Sequence, residues 1–221
     1  MALLRAAEGV FAAHGVAGTA IEDIAASAGV STDAFFRHFE SKEAVLKEII
    51  EEWFARCTAL FAPPGEYPDA PSEPDALLDF CIERDSQIYA FLWQTRPTMR
   101  VIHGCQGQYD YMFDAFRSEI RRRNREWLTL WRQDGLIRPD TNIELAALLM
   151  SGGYEELSNT MLRAPTRPPF EDWLVFAQDT FLRAWGTPEL LVALDRRHPP
   201  NSTGVHRASP ESSTKRSHPA A

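Results

Sequence analysis

Cysteine is scarce in this chain. Its three residues, Cys57, Cys81 and Cys105, are too few for a disulfide framework and lack the spacing of metal ligands. A reduced, cytoplasmic compartment is the expectation. No apolar run approaches the roughly 18–20 residues that cross a bilayer, and no membrane is expected as a partner. Met1 to Val10, interrupted by Arg5 and Glu8, is too short and polar for a secretory segment. Positive charge is also in short supply. A net charge of −8 excludes a protein coated in phosphate-binding groups, but not a small DNA-reading module on an acidic body. The signatures of catalysis are missing as well. There is no nucleophile elbow, phosphate-cradling glycine loop, metal cluster or placed acid–base pair. We therefore expect neither an enzyme nor a cofactor. No alternating strand pattern rises above chance, so the chain reads as all-α.

What is present is aromatic and helical. Thirteen Phe and six Trp in 221 residues supply large apolar walls. The length is enough to bury roughly 70% of the unfolded surface. Residues 62–75 hold five prolines and read as a linker. Helical periodicity dominates from Pro74 to about Leu194, with breaks near Pro97, Gly104–Gly107, Gly135–Pro139 and Pro165–Pro169. Residues 196–221 carry a net +4 and little that is apolar beyond Pro199. They read as a disordered basic tail. Three segments follow: residues 1–45, 46–195 and 196–221.

The first segment is the most informative. Leu3, Ala7, Val10 and Phe11 give one apolar face of a first helix, which His14-Gly15 ends. Thr19-Ala-Ile-Glu22 has the form of a capping box, opening a short helix with Ile21, Ile24 and Ala25 inward. Ala28-Gly29-Val30 is a tight turn, with Val30 expected in the core. Ser31 can cap the next short helix, which has Phe35 and Phe39 inward, and Ser41 a longer fourth one. Two short helices joined by a glycine turn are the helix-turn-helix pattern, which a plain helical hairpin shares. In the former the second helix enters the major groove by its N-terminal end. Its outward residues are Thr32, Asp33, Ala34, Arg37 and His38.

Leu3 to Ile50 resembles the DNA-binding domain of the TetR family of bacterial transcriptional regulators. Phe11 before the first glycine, Thr19 before the second helix, Ile24 to Ser31 (IAASAGVS) and His38 to Leu46 (HFESKEAVL) carry the likeness. The resemblance implies a dimeric, ligand-responsive repressor fold: an N-terminal three-helix helix-turn-helix domain, then a helical ligand-binding and dimerisation domain. It implies that Thr19, His38 and Lys42 touch phosphates and that Thr32, Asp33, Ala34 and Arg37 face the groove. The sequence departs from the family pattern in lacking a Lys or Arg at Thr32, in Asp33 where Gly is frequent, and in Phe36 where Tyr is usual. No polar, basic lead-in precedes Leu3. Either phosphate contacts are few, each absence flattening the salt slope by about 0.9, or the start lies upstream of Met1. Asp33 can accept from a cytosine amino group, and Arg37 is the candidate for guanine.

The second segment has two expected tasks. Helices near 143–163 and 169–186 are candidates for a homodimer, through Ala146, Gly153, Leu157, Leu174 and Phe181, unless these residues serve packing within one chain. Stripes at 77–93 and 109–131 offer a ligand pocket. Its walls would be Tyr89, Trp93, Tyr109, Phe113, Phe116 and Trp127, with Asp85 and Asn124 as polar points. Asp85 in an apolar stripe needs a partner: a cationic ligand, or an internal arginine such as Arg123. The arginines at 117, 121, 122, 123 and 125 spread around one helix and read as a solvated face. The expected function is a sequence-specific DNA-binding regulator, a repressor released from a palindromic operator by a small-molecule effector. The alternative is a helical ligand- or partner-binding protein with weakened DNA binding.

Overall fold

The computed structural model describes residues 2–66, 72–105, 107 and 109–197. They form ten α-helices: α1 Ala2–His14, α2 Ile21–Ser27, α3 Thr32–Phe36, α4 Lys42–Leu60, α5 Pro74–Gln94, α6 Arg96–Gly104, α7 Asp110–Gln133, α8 Ile143–Arg163, α9 Phe170–Trp185 and α10 Pro188–Arg197. A single 3₁₀ turn, Pro64–Glu66, lies in the proline-rich linker. Among the described residues the one extended pairing is an isolated bridge between Ile137 and Gly186. No helix there is long and apolar enough to cross a membrane.

Local chemistry sets most boundaries. Ser31, Ser41 and Asn142 each accept the amide of the residue three positions on, at 3.1 Å, which satisfies donors a helix start leaves open. Pro74 and Pro97 sit in first turns, where a missing N–H costs nothing. Gly29 takes φ +69° between α2 and α3, a conformation L side chains resist.

Three expectations are corrected at these boundaries. Thr19 does not cap α2. Ala20 stands at the N-cap, and its amide donates to Asp23 Oδ2 at 3.0 Å. The Thr19 hydroxyl instead donates to Gly15 O at 2.8 Å, closing the α1–α2 loop. Val30 does not fill the core: at 37% exposure it points outward, because its amide is held by Ala25 O in the glycine turn. Arg196 and Arg197 belong to the last turn of α10, where they pair with Asp75 and Asp79 of α5. The remaining tail residues, 198–221, lie outside the described residues.

Two apolar clusters hold the helices together. The first runs from α1–α3 through α4 into Ile88–Leu92 of α5, α6, and the facing ends of α8 and α9. The second joins the start of α5, the end of α7, the start of α8, and α10. The first core is thus continuous from the N-terminal helices into the body, with α4 as its spine.

Candidate functional site

At the N-terminal end, α2 and α3 pack around the buried Ile24, Ala25 and Phe35. That leaves Asp33, Phe36, Arg37 and His38 exposed along and just beyond α3, with Thr32 and Ala34 half-buried. The helix ends at Phe36, so Arg37 and His38 occupy the following turn. Phe36 is 52% exposed and meets Phe35 edge-on at 5.5 Å. At the first residue of α4, Lys42 donates from Nζ to Val16 O at 2.9 Å and Thr19 O at 2.8 Å. An ammonium has three donors, so one is left to face outward. Lys42 therefore fastens the loop before α2 to the start of α4.

From this surface α4 runs into the body, a span of about 28 Å for its 19 residues at 1.5 Å per residue. Its second half carries Trp53, Phe54 and Cys57 into the wall of a cavity of about 190 Å³. Phe113, Phe116 and Ile120 of α7 face them. Phe54 meets Phe113 edge-on at 5.2 Å and Phe116 at 5.0 Å. Trp53 Nε1 donates to Thr95 Oγ1 at 2.9 Å, tying α4 to the α5–α6 junction. The α5 and α8 walls bring Tyr89, whose hydroxyl donates to Tyr154 O at 2.8 Å, and Ser151, whose Oγ accepts from Asn124 Nδ2 at 2.9 Å.

The charged groups bordering the cavity are mostly paired. Asp85 Oδ1 accepts from Arg84 Nε at 3.0 Å and Nη2 at 2.9 Å, and Oδ2 accepts from Gln178 Nε2 at 3.0 Å. Both members are buried, and the Arg84 guanidinium also lies over Phe80 and Trp127. Burial works against the charge on Arg84, but Asp85, together with Cys81 and Tyr154, raises its pKa on balance. At the rim, Arg117 Nε bonds Glu155 Oε1 at 2.8 Å. Burial, and then Arg117, push the His103 imidazole below its ordinary pKa, which favours the neutral ring. Cys57, in the wall, has its thiol pushed up to about 12 by burial; it is an apolar surface here, not a nucleophile.

Residues 3–49 match the family described as "Bacterial regulatory proteins, tetR family". The match covers α1–α3 and the start of α4. The chain is also 24% identical over 181 residues to the HTH-type transcriptional repressor DhaR of Mycobacterium sp. (strain GP1), covering 78% of this chain and 87% of that one. Two solved structures share its fold. SmeT, the repressor of the Stenotrophomonas maltophilia multidrug efflux pump SmeDEF, aligns with a TM-score of 0.64 at 21% identity, over 86% of this chain and 91% of SmeT. The ketosteroid regulator KstR2 of Mycobacterium tuberculosis aligns with 0.55 at 18% identity, over 84% and 93%.

The expected pocket residues are divided. Asp85, Tyr89, Phe113, Phe116 and Asn124 line the cavity. Trp93, Tyr109 and Trp127 do not. Trp93 packs under Arg96, whose guanidinium lies 3.8 Å from its ring centre. Tyr109 is buried in the first core and Trp127 in the second. Asp85 is met by its neighbour Arg84, not by Arg123, which donates to Thr58 O and Phe61 O at the end of α4. Sequence reasoning missed Trp53, Phe54 and Ser151 as lining residues. The apolar side of α4 serves the core and the cavity alike.

The expected dimer residues are also redistributed. Ala146 and Leu174 are buried within the chain. Leu157 packs half-buried on the first core. Gly153 faces Phe181, and a Cβ added there would lie 3.0 Å from its ring. Beyond the N-terminal helices, the large apolar residues turned outward are Tyr111 on α7, Leu145, Leu148 and Leu149 on α8, Phe176 on α9 and Val192 on α10. The outer face of α8 is thus about one residue out of phase with the expected one. Most of the α7 arginines are paired: Arg122 with Glu119 and Glu126, Arg123 with Glu119, and Arg125 with Glu144.

Proposed function

We propose that this chain is a homodimeric repressor that binds a palindromic operator through α3 and leaves it when a small molecule fills the cavity behind α4. The observation that carries this reading is α4 itself. One end is bonded through Lys42 to the helix-turn-helix loop, and the other supplies Trp53, Phe54 and Cys57 to the cavity wall. A ligand that favours one position of those side chains biases the position of the whole helix. Release requires only that it bind the two states with different affinity. The α8–α9 face with Leu145, Leu149 and Phe176 would pair two copies, as half-sites on DNA require. SmeT has been solved with triclosan, which supports a small-molecule effector here. Residues 2–45 would form the DNA-reading unit and 46–197 the effector and dimer unit. No catalytic step is part of this function, and the DNA it reads places it in the cytoplasm.

The Thr19 hydroxyl and two of the three Lys42 donors are taken by backbone carbonyls, and Asp33 is exposed on α3. Those facts favour a second reading, a ligand-responsive helical protein with weakened DNA affinity. Selection of genomic fragments by the purified protein, followed by footprinting across salt concentrations, separates the two. A protected palindrome whose affinity falls steeply with salt supports the repressor. Binding that does not distinguish selected from random DNA supports the second reading.

A further inference from the structure

The cavity's dimensions and polar groups narrow the chemistry of its occupant. At about 190 Å³ it is smaller than the roughly 300–1,000 Å³ of sites for drug-sized ligands. It exceeds the ~150 Å³ apolar cavity that accepts benzene. One substituted ring fits that interval. The walls around Phe54, Phe113, Phe116 and Ile120 present aromatic faces and edges. A flat ring can meet these at the offset and edge-on distances such pairs prefer.

Charge is the next constraint. Asp85 is fully engaged by Arg84 and Gln178, so a cationic ligand would have to displace a buried guanidinium. Arg117 is held by Glu155, and both are exposed at the rim. Arg121 is exposed as well and stays hydrated. A charged group carried inside would lose its water with no partner in return.

Of the neutral polar groups in the lining, Ser158 Oγ already donates to Tyr154 O at 2.8 Å, and the half-buried Asn159 also borders a separate cleft with Arg100 and Arg163; Asn124 and Ser151 form the inward pair. Asn124 is 5% exposed and lines the cavity. Its amide N–H goes to Ser151 Oγ. Among the described residues neither its carbonyl oxygen nor the Ser151 hydroxyl hydrogen has a protein partner. Together they offer one acceptor and one donor, the complement of a single hydroxyl group. Asn124 follows Ile120 by one turn on α7, and Phe116 by two. A hydroxyl placed there leaves its ring against Ile120 and Phe116.

We propose that the effector is an uncharged single-ring aromatic bearing one hydroxyl group, its hydroxyl bonded to Asn124 and Ser151. This rests on the reading of the cavity as the effector site. The test titrates the full-length protein with four probes of one shape: 4-ethylphenol, ethylbenzene, 4-ethylbenzoate and 4-ethylbenzylammonium. Binding is followed by calorimetry, and operator release is followed separately. The phenol is expected to bind about tenfold more tightly than ethylbenzene, the effect of one well-made neutral hydrogen bond. Both charged probes should bind more weakly than ethylbenzene. Ser151→Ala and Asn124→Ala should each remove most of the phenol's advantage while keeping ethylbenzene affinity. Ser151, being half-buried, keeps the test sound if the Asn124 variant does not fold. Equal affinity for phenol and hydrocarbon, tighter binding of either ion, or no binding of any probe by folded protein overturns the proposal. Phenol binding without operator release upholds the ligand class and overturns the effector reading beneath it.

Discussion

A carboxylate in the middle of an apolar stripe tells a reader of the sequence that a partner exists, but not which. Spacing pointed across the bundle, to Arg123. The structure places the partner next door, at Arg84, because a long guanidinium can fold along its own helix and lie over Phe80 and Trp127. Removing one member of such a buried pair strands the other, at a cost of about 3–5 kcal/mol, whereas replacing both with apolar residues is far milder. Asp85→Asn should therefore lower the unfolding midpoint by about 10 °C or more. The double variant Arg84→Met with Asp85→Leu should lie much closer to the parent. A larger loss in the double variant would mean that the charges stabilise more than burial costs them. On the DNA side, Arg37 is exposed in the turn after α3. Arg37→Ala is expected to weaken the selected operator by about 1–3 kcal/mol and relax preference at one base pair, with little effect on random DNA. Equal loss on both DNAs, measured by competition binding, would assign Arg37 to phosphates instead.

Helices were more legible than their faces. Caps and breakers announce themselves within a few residues: Ser31, Ser41, Gly29 and the prolines at 74 and 97 all act locally. Which stripe of α8 faces inward depends on the neighbouring helices, and small residues suit close packing within a chain as well as between chains. Ala146 and Gly153 went to the former use. The site split along the same line. Residues one or two turns apart on α7, Phe113, Phe116 and Asn124, were readable together. The α4 wall was not, because its apolar positions serve the core and the cavity alike. The α8–α9 contact can be tested at Gly153. An alanine there gains about 1 kcal/mol of helix propensity, but its methyl would meet the Phe181 ring at 3.0 Å. That ring is stacked on Trp185 at 5.3 Å and 7°, so it cannot swing aside freely. Overpacking of about 1–3 kcal/mol should outweigh the propensity gain. Gly153→Ala is expected to be less stable than the parent in urea, and Phe181→Leu in the same chain should recover part of the loss. A more stable single variant would show that the ring yields.

At the scale of the molecule, the continuous core and the outward face of α8 and α9 carry different burdens. The core from α1 through α4 into the body makes one mechanical unit of the DNA-reading helices and the cavity wall. A single copy nevertheless presents only one recognition helix, so reading a palindrome requires a second copy at a fixed separation. Leu149 is 62% exposed and Phe176 64% exposed, on two helices that pack against each other. Residues so open contribute little to one copy's own stability, while large apolar groups on adjoining helices are what a partner covers. Leu149→Glu together with Phe176→Glu should leave helicity by circular dichroism and the unfolding of the isolated chain close to the parent. Sedimentation should shift from dimer to monomer, since each buried, unpaired carboxylate would be strongly unfavourable at the interface. Because two half-sites would then be bound independently, operator affinity should fall by orders of magnitude at dilute protein, while binding of a cavity ligand persists. A variant that remains dimeric and still protects the operator would move the two-fold axis to another face, with Val192 of α10 and Tyr111 of α7 as further outward apolar residues to test.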